Sequence, residues 1–131
     1  MAEEPRPTLG LRHAALFCVD LARMEQFYVS VLGYRVEWRP DPDNVYLTSG
    51  SDSLALHAGA DAARGETRLD HLGVLLDDPE QVDAWASKLA AAGVTLAAAP
   101  RTHRDGSRSC YALDPDGNKL QFLFHPGLAG R

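Results

Sequence analysis

The residues best suited to chemistry in this 131-residue chain come as a matched pair. His13 stands in Leu-Arg-His-Ala-Ala-Leu-Phe-Cys-Val-Asp (11–20). His71 stands in Leu-Asp-His-Leu-Gly-Val-Leu-Leu-Asp-Asp (69–78), at an offset of 58 residues. Asp20 and Asp78 align at the same offset. A neutral imidazole offers one ring nitrogen as donor and the other as acceptor, so it can ligate a metal or take a proton. Two such rings at equivalent points of a repeat can face one shared cavity. Aromatic and cationic side chains extend the set. Trp38, Tyr46 and Tyr111 lie in strand-like segments, where an aromatic ring either packs or stacks on a flat substrate. Arg101, His103, Arg104 and Arg108 surround a glycine-bearing loop and carry the charge that would bind an anionic substrate. A solvated basic loop is the commoner meaning of such a run.

The elements that must position these residues repeat with them. An internal repeat sets the fold, because one copy cannot bury its apolar face alone. Residues 13–19 are nearly all apolar, as in a strand buried on both faces. Asp20 suits a helix N-cap. Leu21, Met24, Phe27, Tyr28, Val31 and Leu32 follow at helical spacing, and Gly33 ends the run. Tyr34–Trp38 reads as a strand, Arg39–Asn44 as a turn-rich loop, and Val45–Thr48 with Ser53–His57 as a hairpin. Ala58–Thr67 is polar and glycine-bearing, as a linker is. The second copy has a strand at Leu69–Leu76, Asp78 as a cap and Pro79 at the first helical position. Val82, Trp85 and Leu89 line one helix face, and Gly93 closes it. Val94–Ala98 reads as a strand and Pro100–Gly106 as a polar loop. Ser109–Leu113 and Lys119–Phe124 form a hairpin across Asp-Pro-Asp-Gly-Asn. The order is βαβββ, twice: an α+β fold with a mixed, mostly antiparallel sheet and helices on its outer face. The chain reads as one domain, with module one at about 10–58, a linker at about 59–68 and module two at about 69–125.

Composition excludes several classes. The net charge is −5 with both signs interspersed, so a nucleic-acid backbone would be repelled on average. No apolar run approaches the roughly 18–20 residues of a membrane span. Met1–Pro7 is acidic and proline-bearing, which reads as a loose arm and not as a signal peptide. Cys18 and Cys110 form a lone, distant pair in apolar strands. They read as two reduced, buried thiols, and with no export signal the expected compartment is the cytoplasm.

Three segments together resemble the vicinal oxygen chelate superfamily, which includes glyoxalase I, extradiol dioxygenases and bleomycin-resistance proteins. They are Leu-Arg-His-Ala-Ala-Leu with Asp20 and Phe-Tyr-Val-Ser-Val-Leu-Gly (27–33), Leu-Asp-His-Leu-Gly-Val (69–74), and Leu-Asp-Pro-Asp-Gly-Asn-Lys-Leu-Gln-Phe (113–122). The resemblance covers about residues 10–125. It implies two βαβββ modules curled around an open cleft, a divalent metal (Fe, Mn, Ni or Zn) in that cleft, a small-molecule substrate with vicinal oxygens, and a homodimer. It places the first-strand metal ligands on His13 and His71 and the last-strand ligand on Gln121. The equivalent of Gln121 in module one is Ala55. The family's usual carboxylate is therefore missing twice, and the resemblance names no general base. His57, two residues beyond Ala55, is a possible substitute ligand, and so is His125 beyond Gln121. On this reading Trp38, Tyr46, Tyr111 and Arg108 are the substrate-binding candidates. The enzyme reading competes with a metal-free protein that sequesters a drug or other small molecule. The retained histidines favour the first and the lost carboxylates favour the second.

Overall fold

Each half of the chain folds for the same local reasons. A computed structural model describes residue 5, residues 11–59 and residues 69–128. The Met1–Pro7 arm and nearly all of the linker lie outside these residues, apart from Pro5, Ala58 and Gly59. In the first half β1 (His13–Cys18) leads into α1 (Leu21–Gln26), which continues as a π-helical turn (Phe27–Val31), and then into β2 (Arg35–Asp41), β3 (Asn44–Thr48) and β4 (Ser53–Ala58). In the second half β5 (Leu72–Leu76) leads into α2 (Pro79–Ala91), β6 (Leu96–Thr102), β7 (Arg108–Leu113) and β8 (Lys119–Phe124). The βαβββ repeat read from the sequence is the observed order.

The helix boundaries follow from single residues. Asp20 accepts from the Arg23 amide and Asp78 from the Glu80 amide, each quenching a free donor of the first turn. Gly33 and Gly93 adopt φ of +86° and +77°, a backbone state that other residues enter only at a cost. The first helix departs from the expected continuous α-helix over 21–32. The Leu32 amide reaches the Phe27 carbonyl at 3.2 Å, one residue wider than an α-helical bond.

Each module forms its own four-stranded sheet, ordered β1-β4-β3-β2 and β5-β8-β7-β6. The outer strands β1 and β5 run parallel to their neighbours, and all other pairs are antiparallel. No ladder joins β1 to β5 among the described residues, so each βαβββ module carries its own mixed sheet. The expected loops at Arg39–Asn44 and Pro100–Gly106 are shorter than read. β2 runs through Pro40 to Asp41 and β6 through Pro100 to Thr102. Both are edge strands with irregular register, where a proline without an amide hydrogen is tolerated. β5 starts at Leu72, so His71 lies just ahead of the strand.

Alternation sends one face of each sheet into the core. Leu16, Cys18, Val45, Leu47, Leu54 and Leu56 are buried with Met24, Phe27 and Tyr28; Cys110, Ala112, Leu120 and Phe122 are buried with Val82, Ala86 and Leu89. Trp85, on the helix face it shares with Val82 and Leu89, packs against this core and stacks on Phe122 at 5.7 Å. Both thiols are free and buried. Burial and the nearby Asp116 carboxylate push the Cys18 thiol up to about 12, and burial raises Cys110 as well. No helix among the described residues is long and apolar enough to cross a membrane.

One carboxylate ties the halves together. Asp114, 4% exposed, accepts from the Tyr28 hydroxyl at 2.9 Å, from the Asp116 and Asn118 amides at 2.9 Å, and from Asn118 Nδ2 at 2.8 Å. Asp116 in turn accepts from the Val19 amide at 2.9 Å. Burial, then the Asp114 charge, raises the Tyr28 phenol well above its ordinary range. Tyr28→Phe leaves a buried carboxylate short of a donor and is expected to cost about 1–3 kcal/mol in urea unfolding. The raised phenol gives a sign to the pH dependence. Its stabilisation is full below the unfolded tyrosine value near 10 and is lost as pH rises beyond it. Tyr28→Phe should therefore flatten the alkaline limb of stability. It will not abolish that limb, because burial and Asp52 also push Tyr34 up to about 12.

Candidate functional site

The face of each sheet turned away from its helix carries the polar and aromatic residues singled out in the sequence. On sheet one the register sets His13 beside Ser53, Ala15 beside Ala55, and Phe17 beside His57. Ala55 pairs onward with Tyr46 and Tyr46 with Trp38, while His57 pairs with Asn44. On sheet two Gly73 pairs with Gln121 and Gln121 with Tyr111. His71 precedes Gly73 by two residues, as His13 precedes Ala15. Ala55 and Gln121 therefore hold equivalent places in the two sheets, as the family resemblance implied.

The sheet-two group is the more closely knit. His71 Nδ1 lies 2.6 Å from Asp70 Oδ1. A carboxylate only accepts, so this contact puts the ring proton on Nδ1 and leaves Nε2 unprotonated in the neutral ring. Among the described residues Nε2 of His71 has no hydrogen-bond partner. The His71 ring stands edge-on to Tyr111 at 5.4 Å. Gln121 Oε1 lies 3.8 Å from where a side chain on residue 73 would begin, so the bare backbone of Gly73 leaves room for the amide beside β5. Gln121 and Tyr111 also line an open cleft of about 580 Å³ with Arg101, His103 and Arg104. Neither arginine has an ion pair among the described residues. His103 Nε2 is 3.1 Å from the buried Ser109 hydroxyl.

Sheet one carries the other half. His13 is exposed, with Nδ1 3.1 Å from Ser53 Oγ. Trp38 stacks on Tyr46 at 5.1 Å with 25° between the rings. Trp38 and Phe17 are 59% and 58% exposed, so this apolar face stands open to solvent in the single chain. His57 Nδ1 is engaged with Asn44 Oδ1 at 2.6 Å.

The structure thus joins His71, Gln121 and Tyr111 on one sheet and His13, His57, Trp38 and Tyr46 on the other. Among the described residues no hydrogen bond, ion pair or ring contact joins His13 to His71, and no three His, Cys, Asp or Glu side chains gather into a metal-holding group. Two of the sequence candidates lie elsewhere. Arg108 alternates with Ser109 and Tyr111 and so points to the helix side. There its Nε and Nη2 bind Asp83 at 2.9 and 2.7 Å and its Nη1 binds Thr102. His125 lies beyond β8; its Nδ1 accepts from the Gly127 amide, and its Nε2 is 3.9 Å from Asp105. Sequence reasoning passed over Asp70 and Asn44, the partners that fix two imidazoles. The signal for Asp70 was present as an acid next to His71, where the first copy has Arg12. Asn44 was hidden among turn residues.

A sequence model of the Glyoxalase/Bleomycin resistance protein/Dioxygenase superfamily matches residues 10–122. Solved structures share the fold at low identity. A lactoylglutathione lyase from Agrobacterium tumefaciens is 24% identical, with 96% of this chain and 100% of that chain covered and a TM-score of 0.78. A glyoxalase/bleomycin resistance protein/dioxygenase family enzyme from Burkholderia phytofirmans PsJN is 24% identical over 86% and 96% of the two chains, with a TM-score of 0.76. An integron cassette protein from the mobile metagenome of the Halifax Harbour sewage outfall is 21% identical over 89% and 99%, also with a TM-score of 0.76. No curated protein sequence matches the chain.

The Asp70–His71 contact has a direct signature. The hydrogen bond from His71, with Lys119 nearby, holds the Asp70 carboxyl below its ordinary value of 3.8. Carboxyl-carbon NMR titration is expected to show Asp70 protonating below that value, and His71→Gln to bring it back up toward it.

Proposed function

The chain belongs to the Glyoxalase/Bleomycin resistance protein/Dioxygenase superfamily, and from that premise we propose a divalent-metal-dependent enzyme acting on a small substrate with vicinal oxygens. His13 and His71 bind the metal (Fe, Mn, Ni or Zn) through Nε2, and Gln121 binds it through Oε1. The observation that carries this reading is the 2.6 Å contact between His71 Nδ1 and Asp70. A ligating histidine characteristically gives its other N–H to a carboxylate, which fixes the tautomer and orients the ring. The donor set fits a borderline divalent ion: two imidazole nitrogens and one amide oxygen, with open positions for substrate. It is a weak set, because Gln121 brings no charge and Ala55 brings no ligand at all. When bound, such an ion supplies Lewis acidity to the vicinal oxygens of the substrate. The protein's own groups orient that substrate. Tyr111 stands against His71, and the stacked Trp38–Tyr46 pair offers a flat apolar wall.

His13 and His71 belong to different modules, and among the described residues the outer edge of β1 and of β5, on the histidine side of each sheet, has no partner strand. Phe17, Trp38 and Leu75 are exposed on the open faces. We assign the cover for these faces to a second copy of the chain, giving a homodimer with two equivalent clefts. Two free, buried thiols suit a reducing cytoplasm. A second reading, a metal-free protein that sequesters a small molecule between two copies, draws on Ala55 and on the exposed Trp38–Tyr46 stack.

Thermal melting with Mn²⁺, Fe²⁺, Ni²⁺ or Zn²⁺ separates the two. Metal dependence requires a rise in Tm that His71→Ala removes, because a ligand bound only by the folded state stabilises it. Curves unmoved by every metal leave the sequestering reading. Gln121→Glu adds a negative charge at the same reach and is expected to tighten binding about tenfold, on the order of 1.4 kcal/mol, by calorimetric titration. Sedimentation at micromolar concentration should give a species of twice the 14.2 kDa chain mass. A single 14.2 kDa species at all concentrations contradicts the dimer.

A further inference from the structure

The end of β6 and the turn after it carry Arg101, His103 and Arg104 on a frame that is already rigid. The His103 amide donates to the Ser107 carbonyl at 2.7 Å and the Gly106 amide to the His103 carbonyl at 3.0 Å. Gly106 takes a φ of +86°, which closes the turn without strain. The acid of the turn is engaged within it: Asp105 accepts from the Ser107 amide at 2.9 Å and from the Ser107 hydroxyl at 2.6 Å. The His103 ring is held against β7, with Nε2 3.1 Å from Ser109 Oγ. Arg101 and Arg104 differ from these. Both are exposed, and among the described residues neither guanidinium has a hydrogen bond or an ion pair. Arg108 of the same hairpin shows the contrast, since its fork is filled by Asp83.

We propose that Arg101 and Arg104 form an anion subsite in this cleft, and that the ligand is a small molecule ending in an oxoanion, a carboxylate or a phosphate. Both arginines line the cleft of about 580 Å³ together with Tyr111 and Gln121. Arg101 pairs with Ser109, which shares a face of β7 with Tyr111, and Tyr111 pairs with Gln121. Arg101 therefore sits two strand spacings from Gln121, about 10 Å across the sheet, with Tyr111 on the strand between them. A guanidinium is always charged, and its paired N–H donors match two oxygens of an oxoanion. Asp105 is the one acid among the lining residues, and its bonds go to Ser107 and not to the arginines. The net charge of −5 sets the size of the ligand: the rest of the surface repels a polyanion, whereas a small anion in a concave site feels the local charge. That this anion is the far end of a substrate whose vicinal oxygens lie near Gln121 rests on the metal-dependent reading given above.

Calorimetric titration of the metal-free protein tests the subsite alone. Dihydroxyacetone phosphate and 2-oxoglutarate are the phosphate and carboxylate probes, and dihydroxyacetone is the neutral control. The expected result is millimolar or tighter binding of at least one anion, stronger than that of the neutral ketose and weakened by added salt. The tighter anion identifies the terminal group. Arg101→Gln and Arg104→Gln are each expected to weaken its binding about tenfold, the scale of a charge-assisted hydrogen bond. The double variant is expected to bind it no better than dihydroxyacetone. Arg35→Gln removes the same charge from β2 of the other module and is expected to leave binding unchanged. The proposal is overturned by no anion binding, by anion binding that survives in the double variant, or by an equal loss in Arg35→Gln. Zn²⁺ separates this proposal from the reading it rests on, which requires Zn²⁺-loaded protein to bind the anion more tightly than metal-free protein does. Arginine-dependent binding without that gain, or without any zinc uptake, sinks the metal-dependent reading and supports the anion subsite by itself.

Discussion

The buried carboxylate of Asp114 is the constraint on which the arrangement depends. Its two oxygens take four donors, three from its own turn and one, the Tyr28 hydroxyl, from the opposite module. A buried ionised group is tolerated only when it is fully bonded, so the turn, the π-helical segment and the approach of the two modules are fixed together. The same turn starts β8, so it sets the register that puts Gln121 across from Gly73 and beside Tyr111. A change at the centre of the molecule would thus be felt at the open face of sheet two.

The two open faces solve one problem in two ways. On sheet two the imidazole of His71 is held by a carboxylate and sits beside an amide oxygen. On sheet one His57 is held by a neutral amide that is itself oriented by a carboxylate. In both rings Nε2 has no hydrogen-bond partner among the described residues. Repetition of the βαβββ unit supplied equivalent positions, and divergence at Ala55 against Gln121, and at His57 against Leu123, gave them different chemistry. The arginines at 101 and 104 add an electropositive margin to a chain whose net charge is −5.

Much of this was legible in the sequence. Asp20, Asp78, Gly33 and Gly93 mark helix ends by mechanisms local to a few residues, and the structure shows each of them at work. The histidine pair and the Asp-Pro-Asp-Gly-Asn hairpin gave the repeat and its pairing. What escaped depends on neighbours distant in sequence. Pro40 and Pro100 read as loop breakers because only the tertiary arrangement makes β2 and β6 edge strands. Arg108 read as a ligand-binding cation because Asp83, its partner, lies 25 residues away on α2. The wide turn at Phe27–Val31 has apolar residues at helical spacing, and spacing alone does not distinguish it from an α-helix.

The central claim is a metal held by groups from both modules. Anomalous scattering from crystals grown with Zn²⁺ tests it most directly. The account predicts one peak per cleft, within about 2.0–2.2 Å of Nε2 of His13, Nε2 of His71 and Oε1 of Gln121, whichever copies of the chain supply them. A map with no peak at His71, or with zinc bound only at other side chains, would contradict it.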